Sequence, residues 1–268
     1  MTTFYKYHGA GNDFIVIDNR DRSFSEDKKN IALLCDRHFG IGADGLILVE
    51  NSDKADCFMN YYNSDGTIAE MCGNGVRCTA KFFLDHIKSG LKETSVDTRA
   101  GIKKVSCNSD GSFSVNMGAP VFFHSDFLDF PKDSLVLENI EFNFVSVGNP
   151  HAVGIVKNLS VINVSEIGPK IENDSHFPNK INVELVEKIE EDHFKVKVWE
   201  RGSGATLSCG TGACAVYAII AKTSARQDLA EKEITLEFPG GNLFLSENPE
   251  GEIILRGPAE FSFKGEIK

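Results

Sequence analysis

Two glycine-flanked cysteines set the distance that organises this chain. The words MCGNG (71–75) and SCGTG (208–212) each open a stretch of helical apolar spacing. Sliding the sequence onto itself by 137 positions, the distance from Cys72 to Cys209, superposes them. The same shift lays Asn12 over Asn149, each in a Gly-Asn turn ahead of an apolar strand. It also lays Asn63 over Glu200, each nine residues before its cysteine. Three polar landmarks at one ungapped offset, near half of 268 residues, indicate a duplicated unit. The expected product is two domains of similar fold, each ending its key strand in a loop, a cysteine and a helix. Such a pairing would face the two cysteines across a cleft.

Periodicity supplies the elements. Strand-like runs rich in β-branched and aromatic residues occur at 14–18, 45–50, 112–117, 142–147, 152–156, 182–187, 194–199, 234–238 and 252–257. Helical spacing takes over after each cysteine. Val76, Ala80, Phe83, Leu84 and Ile87 share a face, with Gly90 as a stop, and Ala213, Val216, Tyr217 and Ile220 share another. A weaker helix is expected over KKNIALLCDRHFG, ending at Gly40. Many strands with scattered helices predict an α+β fold rich in antiparallel sheet.

Charge narrows the partners. With 28 Lys+Arg against 39 Asp+Glu, and no basic cluster, the chain lacks the footprint of a nucleic-acid or anionic-membrane binder. A small-molecule partner is expected. No apolar run reaches a membrane span, and the N-terminus has no signal-type apolar region. Seven cysteines cannot all pair within one chain, so free thiols in a reducing cytoplasm are expected.

A cysteine at a glycine-rich helix start meets free N–H groups and the positive end of the helix dipole. These favour the thiolate and should lower the thiol pKa. The same N–H groups can hold a carboxylate or phosphate. Two such units facing one substrate suit a reaction in which a proton leaves one face and returns to the other. Cys35, Cys57, Cys78, Cys107 and Cys214 sit inside apolar or helical patterns and read as packing residues. No CxxC or paired-histidine spacing supports zinc, and GIGADG (40–45) lacks the Lys-Ser/Thr of a phosphate loop. His151, in GNPHAV, takes either a structural role or a polar one beside the site. Glu200 and Arg201 enter the loop before Cys209, where Glu suits an ammonium and Arg a carboxylate fork.

The words YHGAGNDFIVID (7–18), GIGADG (40–45), YYNSDGTIAEMCGNGVRC (61–78), VGNPHAV (147–153), NVELVE (182–187) and WERGSGATLSCGTGACA (199–215) together resemble the diaminopimelate epimerase family. The resemblance implies two pseudo-symmetric domains, each a strongly curved, mainly antiparallel sheet around a central helix, with the active site in the cleft. The domains would be 1–116, with 257–268 packing back on it, and 117–256. It implies interconversion of LL- and meso-2,6-diaminopimelate without pyridoxal phosphate or any other cofactor or metal, for lysine and peptidoglycan precursors. It further implies a cytoplasmic homodimer. Cys72 and Cys209 match the family's acid–base pair, and His151 and Glu200 match positions that assist them. Asn12, Asn63, Gly73, Asn74, Asn149, Asn182, Glu200, Arg201, Gly210 and Thr211 match substrate contacts. Some members carry Gln where this chain has Gly45, so a water or a neighbouring asparagine is expected to serve there. An isomerase of the same fold acting on proline or hydroxyproline, a non-catalytic amino-acid binder with redox-sensing thiols, and a thiol protease are the competing readings.

Overall fold

The computed structural model describes residues 1–122, 134–223 and 232–267. In chain order its elements are β1 (Thr2–Gly9), β2 (Asn12–Asp18), α1 (Lys28–Cys35), β3 (Gly45–Glu50), β4 (Cys57–Asn63), α2 (Gly73–His86), β5 (Glu93–Asp97), β6 (Lys103–Cys107) and β7 (Phe113–Gly118). They continue as β8 (Ser134–Leu137), β9 (Ile140–Ser146), β10 (Pro150–Val156), α3 (Val164–Glu172), β11 (Asn182–Glu190), β12 (His193–Glu200) and β13 (Gly204–Thr206). The last are α4 (Gly210–Thr223), β14 (Ile234–Phe238), β15 (Gly241–Glu247), β16 (Ile253–Gly257) and β17 (Glu260–Ile267). Strands dominate, and the fold is α+β with two compact units, Met1–Asn116 with Arg256–Lys268, and Met117–Leu255. Arg256, grouped with the second half in the sequence reading, lies in the first unit, where its guanidinium bonds Asp110 at 3.1 Å.

In the first unit β17, β1 and β2 run antiparallel in that order, and β3 joins β2 in parallel with Phe14 opposite Gly45. Antiparallel β4 follows, with Leu46 opposite Tyr62, then parallel β5 and antiparallel β6 and β7. Helix α2 touches each of β1 to β6, and Gly73–Ala80 and Phe82–Leu84 are all buried. A helix so enclosed needs small residues as well as apolar ones on most of its faces. Every residue of β3 is buried, because α2 covers one face of the sheet. The opposite face packs a cluster of Phe4, Ile15, Ile17, Ile31, Leu34, Leu46 and Leu48, which includes residues of α1. Such two-sided burial turns the expected alternation into the continuous apolar run LILV.

The second unit repeats this plan at the sequence offset. Antiparallel β8, β9 and β10 lead to parallel β11, with His151 opposite Asn182, the 137-shifted image of Phe14 and Gly45. Antiparallel β12 sets Val183 opposite Trp199, the image of Leu46 and Tyr62. Helix α4 occupies the image of α2 residue for residue, and Gly210–Ile220 are buried. Beyond the helix the spacing widens: β12 pairs with β14 at Phe194 and Leu236, where β4 pairs with β5 at Cys57 and Val96.

Two helix boundaries and one whole helix depart from the sequence reading. Helix α1 stops at Cys35, not Gly40, because Asp36 leaves helical geometry and its carboxylate accepts from the N–H groups of His38 and Phe39. Helix α2 ends at His86, well short of Gly90. Helix α3 is a segment whose Gly168-Pro169 pair signals a turn. It forms because Asn163 caps it, and because Gly168 lets it lie against Trp199: a Cβ there would fall 2.4 Å from the indole. The indole N–H then donates to Glu172 at 2.7 Å.

Candidate active site

Each unit builds the same local device from its own strand ends and helix start. Cys72 is the N-cap of α2: its backbone is extended, Val76 N–H donates to its carbonyl at 2.8 Å, and Gly75 N–H points at its sulfur at 3.4 Å. Cys209 repeats this on α4, with Ala213 N–H on the carbonyl at 2.9 Å and Gly212 N–H on the sulfur at 3.3 Å. Each sulfur therefore stands where a serine or aspartate oxygen would cap a helix.

The asparagines follow the register too. Asn12 Oδ1 accepts from Asn74 Nδ2 at 3.2 Å and lies 3.5 Å from Cys72 Sγ, while its own amide donates to Asp44 at 2.7 Å. Arg37 holds Asp44 and Asp13 in turn, so a charged bracket orients Asn12. Asn74 Oδ1 accepts from Arg77 at 2.7 Å. In the second unit Asn149 Nδ2 donates to Thr211 Oγ1 at 3.3 Å, the image of the Asn12–Asn74 contact. Asn63 and Asn182 end and begin their strands. Asn63 bonds Thr67 at 3.1 Å, and Asn182 Oδ1 accepts from the backbone N–H of Arg201 at 2.9 Å.

Within the first unit the structure gathers Asn12, Asn74 and Gly73 beside Cys72, with Asn63 at the end of β4. Within the second it gathers Asn149, His151, Glu200, Gly210 and Thr211 beside Cys209. Arg201 differs: its side chain is exposed and donates to the Asn179 carbonyl at 3.2 Å. At Gly45 the space a side chain would need is taken by Tyr61, whose ring and hydroxyl lie 2.6 and 3.2 Å from the Cβ position. A phenol, not an asparagine, fills that place.

The expected lowering of the thiol pKa does not hold at Cys209. Burial, followed by the carboxylates of Glu200 and Glu184, pushes this thiol well above its ordinary range, against the opposing Thr211 and Gly212 hydrogen bonds. The helix start is outweighed because its field reaches a sulfur already removed from water and set beside two acids. Burial likewise raises Glu200, which bonds Thr206 and the Cys209 thiol. Cys35, Cys57 and Cys78 are pushed up to about 12 by burial. Only thiolates alkylate, so iodoacetamide at about pH 7.5 should leave these four cysteines unmodified in the folded protein. In urea all seven should react, and labelling of Cys209 in the fold should begin only at strongly alkaline pH. Peptide mass mapping reads both.

Sequence reasoning missed Glu184. Its carboxylate bonds His151 Nδ1 at 2.8 Å, and both side chains are fully buried. The offset itself carried the signal: His151 and Glu184 stand where the first unit has Phe14 and Ile47, an apolar pair replaced by a polar, titratable one.

The fold is shared with solved structures of low sequence identity. A hydroxyproline epimerase from Agrobacterium vitis superposes with a TM-score of 0.74 at 13% identity, covering 99% of this chain and 90% of that one. A phenazine biosynthesis protein of the PhzF family from Bacillus anthracis gives 0.73 at 19%, covering 100% and 99%. The sequence narrows this further. The diaminopimelate epimerase family model matches residues 4–123 and 143–262, and this chain belongs to that family. Diaminopimelate epimerase of Bacteroides thetaiotaomicron is 39% identical over the full length of both chains. That of Acetivibrio thermocellus is 39% identical over 98% of each, and the chloroplastic enzyme of Oryza sativa 41% over 98% of this chain and 79% of that protein.

Proposed function

We propose that the protein interconverts LL- and meso-2,6-diaminopimelate by a two-thiol acid–base mechanism without pyridoxal phosphate. The observation that carries this is the duplicated cap: each unit has a cysteine sulfur on a glycine-rich helix start, with Asn12 beside Cys72 and Asn149 bonded to Thr211, which itself touches Cys209. Both half-sites act on one substrate molecule. One sulfur removes the Cα proton as the other delivers a proton to the opposite face. The N–H groups of the two helix starts donate to the α-carboxylate and stabilise the charge that spreads onto it as the carbanion forms. Thr211 donates to the Cys209 sulfur, and Glu200 accepts the thiol proton's hydrogen bond before transfer. Asn63, Asn182, Glu200 and Arg201 read the distal ammonium and carboxylate. A site that bonds both ends of the molecule rejects amino acids that lack one of them.

A homodimer in the cytoplasm belongs to the same proposal, supported by the family resemblance and checked by light scattering and fractionation. Among the described residues no helix is long and apolar enough to cross a membrane. Incubating the pure protein with LL-diaminopimelate should yield the meso form on chiral chromatography, while proline and trans-4-hydroxyproline stay unchanged. Turnover of either proline, with diaminopimelate inert, would reassign the substrate.

A further inference from the structure

The second unit buries a hydrogen-bonded histidine and glutamate where the first buries hydrocarbon. Phe14 and Ile47 are fully buried, and their register images, His151 and Glu184, are buried as completely. Ile47 Cδ1 lies 3.3 Å from the Cβ position of Gly75, and Glu184 Oε1 takes the matching place, 2.6 Å from that of Gly212. Hydrocarbon thus satisfies this architecture. Ionised groups in its place would carry a desolvation cost that packing alone does not repay.

The hydrogen bonds show what the pair holds. His151 Nδ1 is 2.8 Å from Glu184 Oε1, and Nε2 is 2.9 Å from Asn149 Oδ1. The Asn149 amide is oriented by its other end, where Nδ2 donates to Thr211 Oγ1 at 3.3 Å. A carboxylate and an amide oxygen are both acceptors, so both ring nitrogens of His151 are placed to donate. Thr211 accepts from Asn149, which leaves its own hydroxyl hydrogen for Cys209 Sγ at 3.4 Å. The bonds run in one line, from the His151 ring through Asn149 and Thr211 to the sulfur. Glu184 Oε2 is buried with no hydrogen-bond partner among the described residues, so His151 is the group this carboxylate serves. The other ionisable groups coupled to this cluster, Glu200 and Cys209, are both acids.

We propose that Glu184 is a positioning residue for the epimerisation. Its carboxylate keeps His151 an imidazolium, whose second N–H fixes the Asn149 amide and, through it, the Thr211 hydroxyl on Cys209. This rests on the reading of Cys209 as a proton-transferring thiol. A cation this deeply buried persists only beside its counter-ion. Glu184→Gln keeps the shape and removes the charge, so the ring should lose a proton and the donor chain its direction.

Nitrogen-15 NMR of histidine-labelled protein at neutral pH, with His151 assigned through His151→Gln, tests the first half. Both ring nitrogens should carry hydrogen in the wild type, and only one in Glu184→Gln. Kinetics test the second half. In Glu184→Gln, kcat should fall at least about tenfold with KM within about twofold, and Glu184→Asp should restore the imidazolium and much of kcat. A single protonated nitrogen in the wild type, or Glu184→Gln turning over within about twofold of it, would overturn the proposal. Should Glu184→Gln not fold, the wild-type and Glu184→Asp spectra decide. If the wild type fails to epimerise diaminopimelate, the functional reading falls, while the spectra still decide whether Glu184 holds the ring.

Discussion

Replacing either Cys72 or Cys209 by alanine is expected to lower kcat for diaminopimelate epimerisation by about a thousandfold, within the range a positioned acid or base contributes. The double variant should be little slower than the worse single one, because proton removal and proton return form one unit. Folding should survive each change. Alanine removes the sulfur that caps Gly75 or Gly212 N–H, a loss of about 1 kcal/mol, and leaves the helix and its apolar faces in place. Chiral chromatography measures the loss. In deuterated water the wild type should place label chiefly in the product configuration during early turnover. Equal labelling of recovered substrate and product would point to a single base and defeat the two-thiol mechanism, as would brisk turnover by either variant.

Arg77→Met is expected to produce the largest loss of stability. The arginine is fully buried in α2, yet its guanidinium reaches the carbonyls of Gly73 at 3.3 Å and Pro258 at 3.1 Å, and Asn74 Oδ1 at 2.7 Å. It fastens the helix start that carries Cys72 to the returning segment of the same unit. Methionine fills part of the volume and strands the buried Asn74 oxygen and the half-buried Pro258 carbonyl, at a combined cost of about 3–5 kcal/mol. For a chain of this size that corresponds to a Tm lower by roughly 10 °C, measurable by calorimetry. Asn74, freed from Arg77, should also let Asn12 drift from Cys72, so kcat should fall even where the variant is fully folded. An unchanged Tm would mean that water satisfies those acceptors without the arginine.

How far the sequence could be read depended on whether a signal was local or relational. The offset of 137 is relational but ungapped, and it located both cysteines and the central helices that follow them. Strands such as β3 and β12 announced themselves through apolar runs or alternation. Helix α3 did not, because its Gly168-Pro169 pair reads as a turn, and the need for a glycine against Trp199 appears only in the fold. Strand β17 alternates Phe261 and Phe263 on a largely exposed segment and gains its identity only from its pairing with β1. The Cys209 environment was misjudged for a similar reason. A helix start is visible in SCGTG, whereas the two carboxylates that oppose it arrive from β11 and β12, 25 and 9 residues upstream. Glu184 sat in plain view within NVELVE and stood out only against Ile47, its register image.

The first unit is made from two stretches of chain, and β1 is flanked by β2 on one side and β17 on the other. On the ribosome this imposes an order. Residues 117–255 form one continuous stretch and can close as soon as they emerge, whereas β1, synthesised first, waits for Glu260–Ile267 with one row of its peptide groups unpaired. An open edge held that long invites pairing with another nascent chain. Translation that stalls between the two boundaries should therefore yield an aggregation-prone product, even though the Cys72 half-site and most of its supporting strands have already been made.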